Sequence, residues 1–120
     1  MTRPVKIACI GAGISGTAQM LNFERHEPGC CVAFCDLTRE NFDRRMDKLF
    51  GRAEQDATHF RASGVGIRPE FRDLPYYEDP DAMLAAHDVD AVIIATYCSA
   101  HCEMVRRCVP HEVGILLEKP

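Results

Sequence analysis

Three glycines spaced Gly11-x-Gly13-x-x-Gly16, with a carboxylate, Asp36, about 20 residues further on, form a set that can hold a pyrophosphate and a ribose together. Each glycine has a mechanical task. Gly11 permits a tight strand-to-helix turn, Gly13 lets backbone approach the phosphates, and Gly16 lets the helix lie close to the strand. With Ala12, Ile14 and Ser15 between them, the turn offers free N–H groups and the positive end of a helix dipole to an anion. Asp36 can accept hydrogen bonds from both ribose hydroxyls and would repel a 2′-phosphate, which favours NAD over NADP, although Arg39 nearby could turn to meet that phosphate. A purely structural glycine turn is the competing reading. The strand before the motif, the helix after it and the acid at the end of a second apolar run weigh against it.

The elements that must position these residues alternate along the chain. The apolar run Val5 to Ile10 is expected as the first strand, covered on both faces. A helix follows, with Ile14, Ala18 and Leu21 on one face, and stops near Pro28-Gly29; Cys31 to Cys35 then forms a strand that delivers Asp36 to its carboxyl end. Thr38 can cap a long amphipathic helix in which Phe42, Met46, Leu49, Phe50, Ala53, Ala57 and Phe60 recur at helical spacing, with a solvated charged face opposite. Arg61 to Arg72, with Gly64, Gly66 and Pro69, reads as a loop. Leu74 to Tyr77 is a weak strand, and Asp79-Pro80 caps a short helix to about His87. Ala91 to Thr96 is the clearest strand, Ser99 to Val109 a helix, and Val113 to Leu117 a fifth strand. This alternation predicts a Rossmann-type α/β fold, a doubly wound parallel sheet of five strands in order 3-2-1-4-5.

Composition bounds the rest. In 120 residues, 47% hydrophobic, there is room for one core. A net charge of -4 with no basic run gives no draw toward nucleic acid or an anionic membrane, and no apolar stretch is long enough to span one. Seven cysteines, an odd number, argue against a complete disulfide framework and for a reducing compartment, the cytoplasm. Cys9, Cys31 and Cys35 fall in strands and Cys102 and Cys108 share a helix face with Val105, so these read as small core residues. Neither Cys30, Cys31 and Cys35 nor Cys98 and Cys102 has the paired spacing of zinc or thioredoxin-like sites, so no metal is expected.

The stretch Asp90 to Thr96, then His101 in the first turn of a helix, then Leu117-Glu118-Lys119-Pro120, resembles the Gfo/Idh/MocA oxidoreductases, the family of glucose-fructose oxidoreductase and inositol dehydrogenase. With the glycine motif, the resemblance covers nearly the whole chain. It implies that residues 1–120 are an NAD(P)-binding domain, with Thr96 and Tyr97 beside the nicotinamide ribose, Glu118 at the cofactor, and Lys119 and His101 as the catalytic residues. The family's usual Ala-Thr-Pro-Asn is here Ala95-Thr96-Tyr97-Cys98, so proline's fixed φ and asparagine's amide are both missing. The activity implied is hydride transfer between a nicotinamide cofactor and a hydroxyl-bearing substrate such as a sugar or polyol. Relatives build the substrate site from a second domain after this one; the chain is expected to be truncated before it, inactive alone, and part of a homo-oligomer when complete. A stand-alone dinucleotide sensor is the alternative.

Overall fold

A strand whose every side chain is apolar has no face suited to water, and such a strand belongs at the centre of a sheet with helices on both sides. In the computed structural model, which describes residues 4–51 and 66–119, β1 (Ile7–Ile10) holds that place, buried throughout. It pairs in parallel with β2 (Cys31–Cys35) on one edge. Beyond β2 lies the two-residue β3 (Tyr76–Tyr77), and on the other edge come β4 (Ala91–Ile94) and then β5 (Gly114–Leu117). The order is 3-2-1-4-5, all parallel, as the alternation of elements predicts.

Helix α1 (Ile14–His26) and α2 (Arg39–Gly51) cover one face, burying Met20, Leu21, Phe42, Met46 and Leu49 against Cys9, Phe34 and Ile93. The short α3 (Pro80–Ala86) and α4 (His101–Cys108) cover the other, where Met83, Leu84 and Cys108 meet Ala8, Ile10, Val92 and Ile94. Alternate residues of β1 thus feed opposite cores, the period-two signature of a strand. Thr38 caps α2, its Oγ1 accepting from the Asn41 N–H at 3.1 Å, and Asp79 caps α3 through the Asp81 N–H at 3.1 Å.

Several expectations are corrected. α1 buries Gly16, Thr17, Met20, Leu21 and Glu24, while Ile14 is 71% exposed and Ala18 only half-buried. The close seat of Gly16 decides which side of the helix meets the sheet, and Ile14 lies off that side. Cys102 is exposed although Cys108 is buried; six residues at roughly 100° each leave the two about 120° apart around a helix. β1 begins at Ile7, β4 ends at Ile94, and α4 is preceded by a 3-10 turn, Cys98–Ala100. The predicted loop contains another, Pro69–Asp73, whose Phe71 is wholly buried and meets the Phe34 ring edge-on at 5.6 Å. Ala53, Ala57, Phe60, Arg61 and Gly64 lie outside the described residues.

One polar group sits inside the first core. Glu24, 2% exposed, accepts hydrogen bonds from the Gly29 N–H at 2.6 Å, the Cys31 N–H at 3.3 Å and Arg68 Nε at 2.8 Å. Arg68 also donates to the Cys31 carbonyl at 3.2 Å. Glu24, Cys30 and Cys31 bring three metal-type ligand atoms close together. Yet the carboxylate is committed to these donors, and burial pushes both thiols up, away from the thiolate a metal needs. The cluster is a structural joint between α1, the turn after it and the segment before Pro69. Arg68→Ala should cost about 2–3 kcal/mol in urea unfolding, because it leaves a buried carboxylate short of its cationic partner; an unchanged urea midpoint would show that the pair contributes nothing.

Candidate functional site

The carboxyl ends of parallel strands share one rim, and in open α/β sheets the crevice along that rim is where ligands bind. At the end of β1 the chain turns through Gly11 at φ 97°, and a Cβ there would stand 2.7 Å from the Ala95 backbone. Gly16 is tighter: a Cβ would lie 2.1 Å from the Gly11 carbonyl oxygen. Gly13 is the opposite case, since nothing lies within 4 Å of where its Cβ would be. It faces the cleft as the N-cap of α1 and provides no side-chain cap for the helix's first N–H groups. Two glycines therefore hold backbone against backbone, and the third keeps room open before a helix N-terminus. Those residues fit the diphosphate of a dinucleotide.

The cleft has a volume of about 690 Å³ and runs along the rim from α2 to α4. Gly11, Ala12, Gly13, Ile14, Asp36, Thr96 and Tyr97 line it. Asp36 follows β2; its carbonyl accepts from the Tyr76 hydroxyl at 2.9 Å and its Oδ1 from the Leu37 N–H at 2.7 Å, which fixes both the peptide and the carboxylate. Leu37 (73% exposed), Tyr97 (80%) and Ile14 present large apolar surfaces at the same cleft. Such surface beside a few placed polar groups suits a partly aromatic ligand.

Tyr97 departs from the proline of the resemblance, yet its φ is -59°, the value a proline ring would impose. The loop sets that angle without the ring. His101 opens α4, and its Nε2 lies 3.0 Å from the Thr96 carbonyl. A carbonyl only accepts, so Nε2 carries the proton and the imidazole ties the helix to the loop beside it. Arg39 is placed away from the cleft wall, with its guanidinium over the Phe42 and Tyr76 rings and its Nε 3.0 Å from Asp43.

Ser15, in the first turn of α1, meets Glu118, which also holds the Lys119 backbone; none of the three is among the residues lining the cleft. Glu118 Oε2 accepts from the Ser15 hydroxyl at 2.6 Å and from the Gln19 amide, while Oε1 accepts the Lys119 backbone N–H at 2.9 Å. The Ser15 hydroxyl, ahead of the Lys119 N–H, holds the Glu118 carboxyl below its ordinary range. Its bridge is therefore fully formed above the ordinary carboxyl range and is lost only as pH falls through the depressed value. The Lys119 side chain is exposed at the end of β5.

Sequence reasoning missed the cations. Arg44, Arg45 and Lys48 of α2, assigned to a solvated face, line the cleft, as does Arg107 of α4. Arg45 reaches Thr17 Oγ1 at 3.3 Å, and Arg107 pairs with Asp79 and, at 2.9 Å, with Asp81. Arg44 pairs with Glu40 at 3.0 Å in the same way, so Arg44 and Arg107 reach the cleft with carboxylates beside them. Their signal was the i, i+4 spacing of Arg44 and Lys48 on the helix directly after the acid.

Comparison with known proteins agrees with this geometry. The model of the GFO_IDH_MocA family, described as an oxidoreductase family with an NAD-binding Rossmann fold, matches residues 5–120. An inositol 2-dehydrogenase of Paenarthrobacter aurescens is 27% identical over 117 residues, 98% of this chain and 28% of that protein. An oxidoreductase of Agrobacterium radiobacter, solved with NAD+, L-tartaric acid and magnesium, superposes with a TM-score of 0.63 at 24% identity, covering 98% of this chain and 28% of that one. The myo-inositol 2-dehydrogenase of Lactobacillus plantarum superposes with a TM-score of 0.64 at 18% identity, over 98% of this chain and 29% of that one. The chain thus spans less than a third of these proteins.

The three glycines separate binding from folding. Gly13→Val should weaken NADH binding about tenfold or more, a loss of about 1.4 kcal/mol, with little change in urea midpoint. Gly16→Ala should instead destabilise the fold by about 1–3 kcal/mol, because backbone must move. Equal NADH affinity in the Gly13 variant would place the phosphate turn elsewhere.

Proposed function

The chain belongs to the Gfo/Idh/MocA oxidoreductase family with its NAD-binding Rossmann fold, and from that premise we propose that it is the nucleotide-binding part of a longer dehydrogenase. On this reading the complete protein moves a hydride between a nicotinamide cofactor and a hydroxyl-bearing substrate of the sugar or polyol class. The inositol 2-dehydrogenase relative supports that substrate class. The observation that carries the reading is the convergence of the open Gly13 turn, Asp36 and Thr96 on one cleft at the carboxyl ends of the strands, the rim at which Lys119 follows β5.

The residues divide the work by position. Backbone N–H groups at Gly13, Ile14 and Ser15, with the α1 dipole behind them, would hold the pyrophosphate, and Asp36 the adenosine ribose. Thr96 and Tyr97 would flank the nicotinamide ribose. The bound nicotinamide supplies the hydride acceptor or donor. Oxidising a hydroxyl also releases a proton; as an ammonium Lys119 would stabilise the alkoxide, and as a neutral amine it would take up that proton and pass it to solvent. His101 spends Nε2 on the Thr96 carbonyl, so any proton it moved would pass through Nδ1. The substrate itself would be held by a second domain beyond this chain, and the complete enzyme is proposed to be a homo-oligomer.

NAD is the proposed cofactor over NADP. Asp36 would repel a 2′-phosphate on the ribose it holds, and Arg39, the nearby cation that could turn to meet that phosphate, is engaged with Asp43 and two rings. Arg44, Arg45 and Lys48 attract the phosphates of either cofactor. Among the described residues no helix is long and apolar enough to cross a membrane. All seven cysteines are free thiols, which suits the reducing cytoplasm proposed as its compartment.

Asp36→Ala should weaken NAD binding and narrow the gap between NAD and NADP in side-by-side titrations; tighter NADP binding by the unmodified chain would reverse the proposed preference. In the complete enzyme, Lys119→Ala should lower turnover about 10²–10⁴-fold with only a modest change in NADH affinity. Near-normal turnover would remove Lys119 from the chemistry.

A further inference from the structure

We infer that Glu118 is a positioning residue that fastens the end of β5 to the first two turns of α1, so that a ligand filling the phosphate turn also sets Lys119. The identity of that ligand rests on the dinucleotide reading above; the fastening does not. One carboxylate gathers donors from two distant parts of the chain, the Ser15 hydroxyl at 2.6 Å and the Gln19 amide on α1, and the Lys119 backbone N–H at 2.9 Å. Gln19 also donates to Ser15 Oγ at 3.4 Å, which closes a ring of three side chains.

An isolated ion pair or hydrogen bond at this exposure contributes little. Convergence changes that, because a carboxylate at the positive end of a helix, with charge-assisted bonds on both oxygens, has a defined place rather than a cloud of rotamers. The same helix end faces the cleft through Gly13. A diphosphate bound there would add a second anion to the field that holds Glu118. The response has a short route through Ser15 and the carboxylate to the peptide of Lys119. On this account Glu118 does not touch cofactor; it links the residue that holds the phosphates to the residue proposed to act on the substrate.

The test is a ¹⁵N NMR titration of the full chain with ADP-ribose, which carries the adenosine and pyrophosphate but no nicotinamide. The Gly13 and Lys119 amides should both shift. In Glu118→Ala the Gly13 shift should persist while most of the Lys119 shift is lost, and Glu118→Gln, which keeps one acceptor oxygen, should restore part of it. An equal Lys119 shift in Glu118→Ala, or a still Lys119 beside a moving Gly13 in the unmodified chain, would overturn the inference. If no amide of the turn moves, the dinucleotide reading fails, and the fastening is judged without ligand. Gln19→Ala, folded by its urea midpoint, should then speed hydrogen exchange at the Lys119 amide roughly fivefold. Unchanged exchange would overturn the fastening itself.

Discussion

Everything at the rim depends on how closely α1 approaches the sheet. A single carbon added at Gly16 would stand 2.1 Å from the Gly11 carbonyl, and one at Gly11 would stand 2.7 Å from the Ala95 backbone. Three backbone segments, from β1, α1 and the end of β4, are therefore stacked without side chains between them. That contact fixes the azimuth of α1, which turns Thr17, Met20, Leu21 and Glu24 inward and leaves Ile14 at the cleft. It also fixes where the helix begins, so its N-terminus opens onto the same space that Asp36 and Thr96 reach from neighbouring strands.

The two cores that support this arrangement differ in kind. Around α3 and α4 the buried cluster consists of aliphatic residues, methionine and cysteine. Around α1 and α2 it is aromatic, with Phe34 meeting Phe42 at 5.2 Å and Phe71 at 5.6 Å, and it encloses the Glu24 carboxylate. Phe71 comes from a short 3-10 turn rather than from a regular element. Glu24 anchors that segment, its carboxylate accepting from the Gly29 and Cys31 N–H groups and from Arg68, which in turn donates to the Cys31 carbonyl.

The fold was legible because its signals are periodic or obligatory. Apolar runs between turn residues located β1, β2 and β4, the glycine spacing located the start of α1, and Thr38 and Asp79 marked helix starts that the structure realises. Glu118 and Lys119 could be named from a short motif, but not the bridge to Ser15 and Gln19, which joins positions about a hundred residues apart. The burial of Glu24 was equally invisible, since an acid on an amphipathic helix ordinarily faces water. The cations of α2 were misassigned for a related reason: periodicity tells which side of a helix avoids the core, not whether that side meets bulk solvent or the wall of a cleft.

The backbone at Tyr97 carries a consequence for how this loop can diverge. Its φ of -59° is the one a proline would lock, held here by a residue with no such restriction, followed by a 3-10 turn and by His101 gripping the Thr96 carbonyl. The torsion is a property of the neighbourhood rather than of the occupant. A lineage can thus exchange a stiff ring for a broad aromatic face at this position without refolding the loop, and the residue becomes a site where recognition drifts while architecture stays still. Sequence patterns that demand proline here would miss chains that keep the shape and have changed only the surface it presents.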